Sequence, residues 1–430
     1  MGRGKKNGSY LDKLAILGSN LGLERIKSLL AALGNPQGEL VTVHIAGSNG
    51  KGSTAAMVAS ILTAAGYRVG LYTSPHLNSY RERFQINGQE ISAADLNELL
   101  AQISQAAQRV TRETDQEHPT EFEVLTAAAL QYFNRMQVDL AIMEVGLGGR
   151  LDATNVITPL VTIITHIALE HTTVLGNTLA EVAREKAGII KAGVPVVSSH
   201  QDPEVAVVIA EVCRRQGAEL SMVGRDIHKG EISLDAAGIL CNPRGKNWHY
   251  KNLRVTLLGR HQAENTATAL AAIDILREKG YFITEKNVRQ ALGHLSWPAR
   301  MEVLGTEPVL LLDVAHNPDG ARVLREAVKS HFPGRRVIMV FGALSDKDVK
   351  SMASILGPLC EVVILTRPDS PRALEPKAAL PLFQDQVPVV LVEEGIGKAL
   401  ELARQNARAT DLILVCGSFY MVGAARECIV

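Results

Sequence analysis

Short apolar runs rich in Val, Ile and Leu alternate along this chain with segments of helical periodicity, a pattern that confines it to a mostly parallel sheet flanked by helices. In the first part, strands are expected at Val41–Ala46, Arg68–Thr73, Leu140–Val145, Val161–Thr165 and Val194–Ser198. Helices are expected over Ser53–Ala65, Ala93–Glu113, Glu121–Arg135 and Leu179–Ile189. From Val223 to Leu258, Gly, Asn and Pro interrupt the pattern, and Glu231–Leu234, Trp248–Tyr250 and Arg254–Leu257 read as a small antiparallel addition. Helical periodicity returns at Gln262–Lys279 and Glu285–Leu292. Proline turns its predecessor away from helical backbone, so Ser296-Trp297-Pro298 marks a hinge. A second alternating series follows, with strands at Val309–Val314, Val337–Phe341, Glu361–Leu365, Val389–Val392 and Leu412–Val415. Its helices are expected at Gly320–Ser330, Asp348–Ile355, Ile396–Asn406 and Tyr420–Arg426. The expectation is an α/β chain of two domains, residues 1–296 and 297–430, with a cleft between them where ligands collect.

Composition narrows the partners. The 45 basic residues are balanced by 45 acidic ones, so no net field draws the chain to nucleic acid or to an anionic membrane, and small molecules are the expected partners. The five cysteines, Cys213, Cys241, Cys360, Cys416 and Cys428, are widely spaced with no CxxC pair. That argues against a disulfide framework or a zinc site and for a reducing, cytoplasmic setting. The basic segment MGRGKKNGSY leads into charge-punctuated sequence rather than a signal peptide's apolar core. The longest uncharged run, Ala153–Leu169, is too polar to be a membrane span.

Gly47-Ser48-Asn49-Gly50-Lys51-Gly52-Ser53 stands between an expected strand and an expected helix. Glycines at 47, 50 and 52 let backbone N–H groups converge on phosphate oxygens, the helix adds its positive end, and Lys51 reaches the terminal phosphates. The string departs from GxxxxGK[ST]: Ile45 replaces the first glycine and Gly52 separates Lys51 from Ser53. Glu144 ends a strand at the edge where this loop emerges, which suits a magnesium-bridging carboxylate as well as a solvated strand-end acid. Asp313 and His316 end a strand in the second half, where Asn317-Pro318 also reads as a helix entrance. Arg300 follows the hinge closely, so domain closure brings its fixed charge to the cleft. Taken alone, Lys186 beside Glu185 reads as a surface ion pair and Phe122 as a core residue of its helix.

The form GSNGKGS, followed in order by Thr73-Ser74-Pro75-His76-Leu77, Tyr80-Arg81-Glu82-Arg83, Glu144-Val145-Gly146-Leu147-Gly148-Gly149-Arg150-Leu151-Asp152-Ala153-Thr154-Asn155, Glu170-His171-Thr172, Arg184-Glu185-Lys186-Ala187-Gly188, Asp313-Val314-Ala315-His316-Asn317-Pro318 and Cys416-Gly417-Ser418, resembles the folylpolyglutamate synthase/dihydrofolate synthase family of the Mur-ligase superfamily. The resemblance implies an N-terminal P-loop domain and a C-terminal Rossmann-like domain, commonly monomeric. It implies ATP on Gly47, Asn49, Gly50, Lys51, Gly52 and Ser53, with Asn265, Arg300, Asp313 and His316 also touching nucleotide. Magnesium falls to Ser74, Glu144 and His171, and Lys186 is implied to carry a carbamate supporting a second metal. Where the family usually has Asp before this histidine, the chain has Glu170. The pterin side falls to Thr120, Phe122 and Asp152, the last offering a carboxylate to the ring's N–H groups, with Arg83 and Ser418 also on the substrate side.

The implied chemistry is ATP-dependent amide formation. A folate carboxylate attacks the γ-phosphorus, an acyl phosphate forms, and the amine of L-glutamate displaces phosphate. Lys51, Glu144, His171 and Lys186 carry it, and the Thr120–Glu123 and Asp152 stretches imply that dihydropteroate is accepted too. Competing readings are another Mur-superfamily ligase, a P-loop kinase or GTPase that leaves the C-terminal half unexplained, and a non-catalytic nucleotide-binding regulator.

Overall fold

The computed structural model describes residues 8–15, 18, 20–114 and 117–429; the basic segment 1–7 lies outside them. Eight strands form the first sheet: β1 (Thr42–Ala46), β2 (Val69–Tyr72), β3 (Phe84–Ile86), β4 (Gln89–Glu90), β5 (Leu140–Glu144), β6 (Val161–Ile164), β7 (Val196–Ser198) and β8 (Leu220–Met222). Their order is β4-β3-β2-β5-β1-β6-β7-β8. The six strands from β2 to β8 in that order are parallel, while β3 and β4 fold back antiparallel at one edge. The central strands are buried along their whole length, which is why they read as unbroken apolar runs rather than alternating ones.

Helices cover both faces. Lys51–Ala64 and His261–Glu278 pack on one side with Val43, Ile45, Ile142 and Ile163. Glu24–Ala32, Ala93–Thr114 and Glu121–Arg135 pack on the other with Tyr72, Ala141 and Met143. The helix Lys51–Ala64 is buried from Gly52 to Ala59 without a solvent face, hence its small apolar composition.

A three-stranded antiparallel sheet follows: β9 (Ile232–Asp235), β10 (Gly238–Cys241) and β11 (Leu253–Val255). The expected strand at Trp248–Tyr250 is not one. His249 makes only an isolated bridge to Arg244, because Gly245 and the Trp248 ring close a tight loop there.

The second domain holds β12 (Glu302–Thr306), β13 (Val309–Leu312), β14 (Val337–Phe341), β15 (Cys360–Leu365), β16 (Val389–Val392) and β17 (Leu412–Cys416), in the order β12-β13-β17-β14-β15-β16. Only β12 runs antiparallel. β3, β4, β8 and β12 were not legible in the sequence, since each is a short edge strand or its immediate neighbour with a partly exposed, mixed pattern, and β10, only four residues long and opened by Gly238, was missed as well. No disulfide is present among the described residues. No described helix is long and apolar enough to cross a membrane.

Candidate active site

The C-terminal ends of β1, β5 and β6 meet at one point, and the loop after β1 fills it. Gly47 and Gly50 take φ of +151° and +89°. A Cβ on Gly47 would fall 1.8 Å from the Thr165 hydroxyl, and one on Gly50 would fall 2.6 Å from the Asn265 side chain, so both positions need glycine on two counts. The loop rests on the His166 carbonyl, which accepts from the Ser48 and Asn49 N–H groups. Lys51 Nζ donates to the Gly47 and Ser48 carbonyls at 2.8 and 3.1 Å, so the ammonium is folded onto its own loop.

Glu144, at the end of β5, is 4 % exposed, and one carboxylate oxygen accepts from the Ser74 N–H at 3.2 Å. Burial raises its pKa, opposed by Lys51, the Ser74 N–H, Arg300 and Arg83. No three His, Cys, Asp or Glu side chains converge on a metal-sized site among the described residues. A magnesium ion held by one carboxylate, a serine hydroxyl, nucleotide oxygens and water fits that donor set. His171 sits exposed at φ +48°, at the N-cap position of the short helix Thr172–Leu175 and without a side-chain cap bond.

Lys186 corrects the surface reading. It is 2 % exposed, and Nζ donates to the Gly47 carbonyl and to Glu170 Oε1, both at 2.8 Å. Glu185 instead pairs with Arg150, and Glu181 caps its own helix. Burial lowers the Lys186 pKa against the pull of Glu170. Glu170 is held well below the usual carboxylate range: its own burial opposes this, and Lys186 and Lys51 outweigh it. A carbonyl and a carboxylate both face the nitrogen.

The second domain supplies the opposite wall. Asp313 accepts from the Met301 and Ala315 N–H groups, and Ala299 and Met301 take left-handed φ of +58° and +52° on either side of Arg300. The strained hinge is thus held to the end of β13, and Arg300 is aimed by it. The Arg300 guanidinium stacks 4.9 Å from the Phe419 ring, and His316 packs on the same ring at 5.5 Å. His316 Nδ1 donates to the Val314 carbonyl, and burial pushes the ring down to about 4, leaving Nε2 a free acceptor. An Arg300 nitrogen would lie 3.7 Å from a Cβ on Gly52, which places the hinge arginine at the phosphate loop. Asn265 packs against Gly50 and binds Gln262.

On the far side of β5, Arg83 is buried, its Nε donates to His76 Nδ1 at 2.9 Å, and its guanidinium lies over the Tyr80 ring at 5.4 Å. Phe122 is half-buried, its ring filling the space over Gly146. The other expected substrate residues are turned inward. Thr120 forms a capping box with Glu123. Ser418 caps the helix Phe419–Glu427. Asp152 is 2 % exposed and accepts from Gly146 N, Leu147 N, Thr154 N and the Thr154 hydroxyl. Its carboxylate organises the 146–154 loop, so the free acceptor pair expected for a pterin ring is not on offer. His166, Asp319, Phe419 and Tyr80 lie against these residues and were not singled out in the sequence; of them only Phe419, next to Ser418, carried a local signal.

An ATP-type phosphate loop facing a second α/β domain across a cleft defines a two-domain nucleotide-dependent ligase. The chain matches the Mur ligase middle domain over residues 45–273 and the Mur ligase glutamate ligase domain over residues 299–419. It is 34% identical over 416 residues, 94% of each chain, to the dihydrofolate synthase/folylpolyglutamate synthase of Bacillus subtilis. It is 36% identical to the folylpolyglutamate synthase of Lacticaseibacillus casei, covering 94% of this chain and 93% of that one. The structure of Mycobacterium tuberculosis folylpolyglutamate synthase complexed with ADP superposes with a TM-score of 0.92 at 32% identity, covering 97% of both chains. The chain belongs to the dihydrofolate synthase/folylpolyglutamate synthase family of Mur ligases.

Proposed function

We propose that the chain is an ATP-dependent ligase that joins L-glutamate to the carboxyl group of folates, and of dihydropteroate, through an acyl phosphate. The observation that carries this reading is the meeting of the 47–53 loop, Glu144 and Arg300 in one cleft whose far side holds Arg83 and Phe122. ATP phosphates lie on the Gly50–Ser53 amides, and Lys51 leaves its two carbonyls to follow the γ-phosphate. The acid's carboxylate attacks the γ-phosphorus, the bond to the bridging oxygen breaks and ADP departs from an acyl phosphate, while Lys51 and Arg300 balance the charge that spreads over the transferring oxygens. The glutamate amine then attacks the acyl carbon, and phosphate leaves. Ser74, Glu144 and His171 would hold magnesium, which would supply positive charge to the phosphate oxygens. Arg83, stiffened by His76 and Tyr80, is the carboxylate anchor, and Phe122 is the face for the pterin.

We read Lys186 as the carbamate site of the working enzyme, supported by the burial that favours a neutral amine. Because Glu170 faces the same nitrogen, a carbamate there needs a cation between the two anions. Intact mass of magnesium-loaded protein in bicarbonate checks this, and an unmodified lysine removes it. The partners in this reading are small molecules only, and the chain works as a cytoplasmic monomer.

The test of the function is glutamate incorporation coupled to ATP hydrolysis with dihydropteroate, dihydrofolate and tetrahydrofolate offered separately. Extension of all three is expected, and failure on dihydropteroate alone makes the chain monofunctional. Lys51→Ala should abolish ligation with the fold intact, while Glu144→Gln should shift the magnesium titration to much higher concentration.

A further inference from the structure

The helix Pro318–His331 opens the second domain's face toward the phosphate loop, and its first turn grips that loop directly. Asn49 Nδ2 donates to Asp319 Oδ2 at 2.7 Å, and Asn317 Nδ2 donates back to Asn49 Oδ1 at 3.3 Å. The same Asp319 oxygen lies 3.4 Å from His166 Nε2, and His166 is the residue whose carbonyl carries the Ser48 and Asn49 N–H groups. An acid in a first turn needs no special account when it merely faces its own helix end. Here that duty is already met, because Asn317 Oδ1 caps the helix by accepting from Gly320 N at 2.7 Å. Asp319 therefore turns Oδ2 across the domain boundary, to the loop and to the residue beneath it, while Oδ1 lies 3.8 Å from Arg322 of its own helix. Both ends of the Asn49 amide are satisfied by the second domain.

We propose that Asp319 is a positioning residue of the nucleotide site, seating the phosphate loop through Asn49 and His166 so that the loop is shaped for ATP when the second domain is docked. The proposal rests on the reading of residues 47–53 as the phosphate loop. By linkage, whatever strengthens the domain contact strengthens ATP binding, and ATP in turn strengthens the contact.

The experiment is calorimetric titration of the full-length protein with ATP for wild type, Asp319→Ala, Asp319→Asn and Lys51→Ala, with circular dichroism and melting curves to confirm folding. Hydrogen exchange of the nucleotide-free protein over residues 47–53 is followed in parallel. Asp319→Ala should weaken ATP about tenfold, the size of one hydrogen bond to a charged group. It should leave the KM for the folate substrate unchanged and speed exchange in the loop. Asp319→Asn keeps an oxygen for Asn49 and should recover most of the affinity. A folded Asp319→Ala protein with wild-type ATP affinity and exchange overturns the proposal, and so does an Asn variant as weak as the Ala one. If Lys51→Ala binds ATP like wild type, the phosphate-loop reading itself fails and takes this inference with it.

Discussion

His44 stands at the middle of β1 with no exposure; Nε2 meets the Thr154 hydroxyl at 2.8 Å and Nδ1 has no partner. Burial, aided by Lys191, brings the ring from 6.5 down to about 3. An unfolded chain takes up this proton near pH 6.5 and the folded one does not, so the stability His44 contributes is complete above 6.5 and is lost as pH falls toward 3. His44→Gln keeps a donor for Thr154 and should flatten the acid limb of the stability curve by up to about 1.4 kcal/mol per pH unit between those values. Urea melts from pH 7 to pH 4.5 check this, and an unchanged slope removes His44 as an acid-labile point. At this scale the structure gives several expected ligand residues a second duty. Thr120, Asp152 and Ser418 have the residue types of ligands, yet each caps its own element, because the short side-chain oxygens that bind substrates also satisfy orphan N–H groups at helix starts. Lys186 looked like a surface partner of Glu185 because neighbours in sequence are visible and Glu170, sixteen residues away, is not.

Elements in this chain are set by glycines as much as by apolar runs. In the loop after β5, a Cβ on Gly146 would come within 2.5 Å of the Phe122 ring, while Gly149 backs onto the Glu185 and Lys186 backbone. The loop is a spacer between the proposed pterin face and the helix that carries Lys186. Gly146→Ala should push the Phe122 ring aside and raise the KM for the folate substrate about tenfold with the KM for ATP unchanged, since the displaced contact touches one substrate only. Initial-rate kinetics decide it, and an unaltered folate KM would place Phe122 outside the substrate site. The β1 strand, the phosphate loop and the helix after it were legible as a unit, because the apolar run, the glycines and the helical period are all local. The β3–β4 hairpin was not, since its strands are short and half exposed and gain their order from pairing with β2.

Across the whole molecule the two domains touch through side-chain bonds such as Asn49 to Asp319 and through close backbone approaches. Leu77, from the loop that carries Ser74, packs into the second domain's core, and a Cβ on Gly423 would fall 2.4 Å from the Leu77 carbonyl. Gly423→Ala should separate this contact and lower turnover about tenfold or more, because a shift of an ångström between reacting groups costs that much. Small-angle scattering should show a more open particle; a compact variant with normal turnover would show that the contact is incidental to catalysis. The sequence by itself determined the two α/β halves, the glycine-rich loop between β1 and its helix, and the acid that ends β5, because each depends on periodicity or glycine within a short stretch of chain. Only the tertiary structure decided which polar groups are free. It paired Lys186 with Glu170, aimed Arg300 through the backbone bonds of Asp313, turned Asp152 inward and brought Asp319 to Asn49. A side chain's availability is fixed by the partners that folding places beside it, and those partners come from distant parts of the chain.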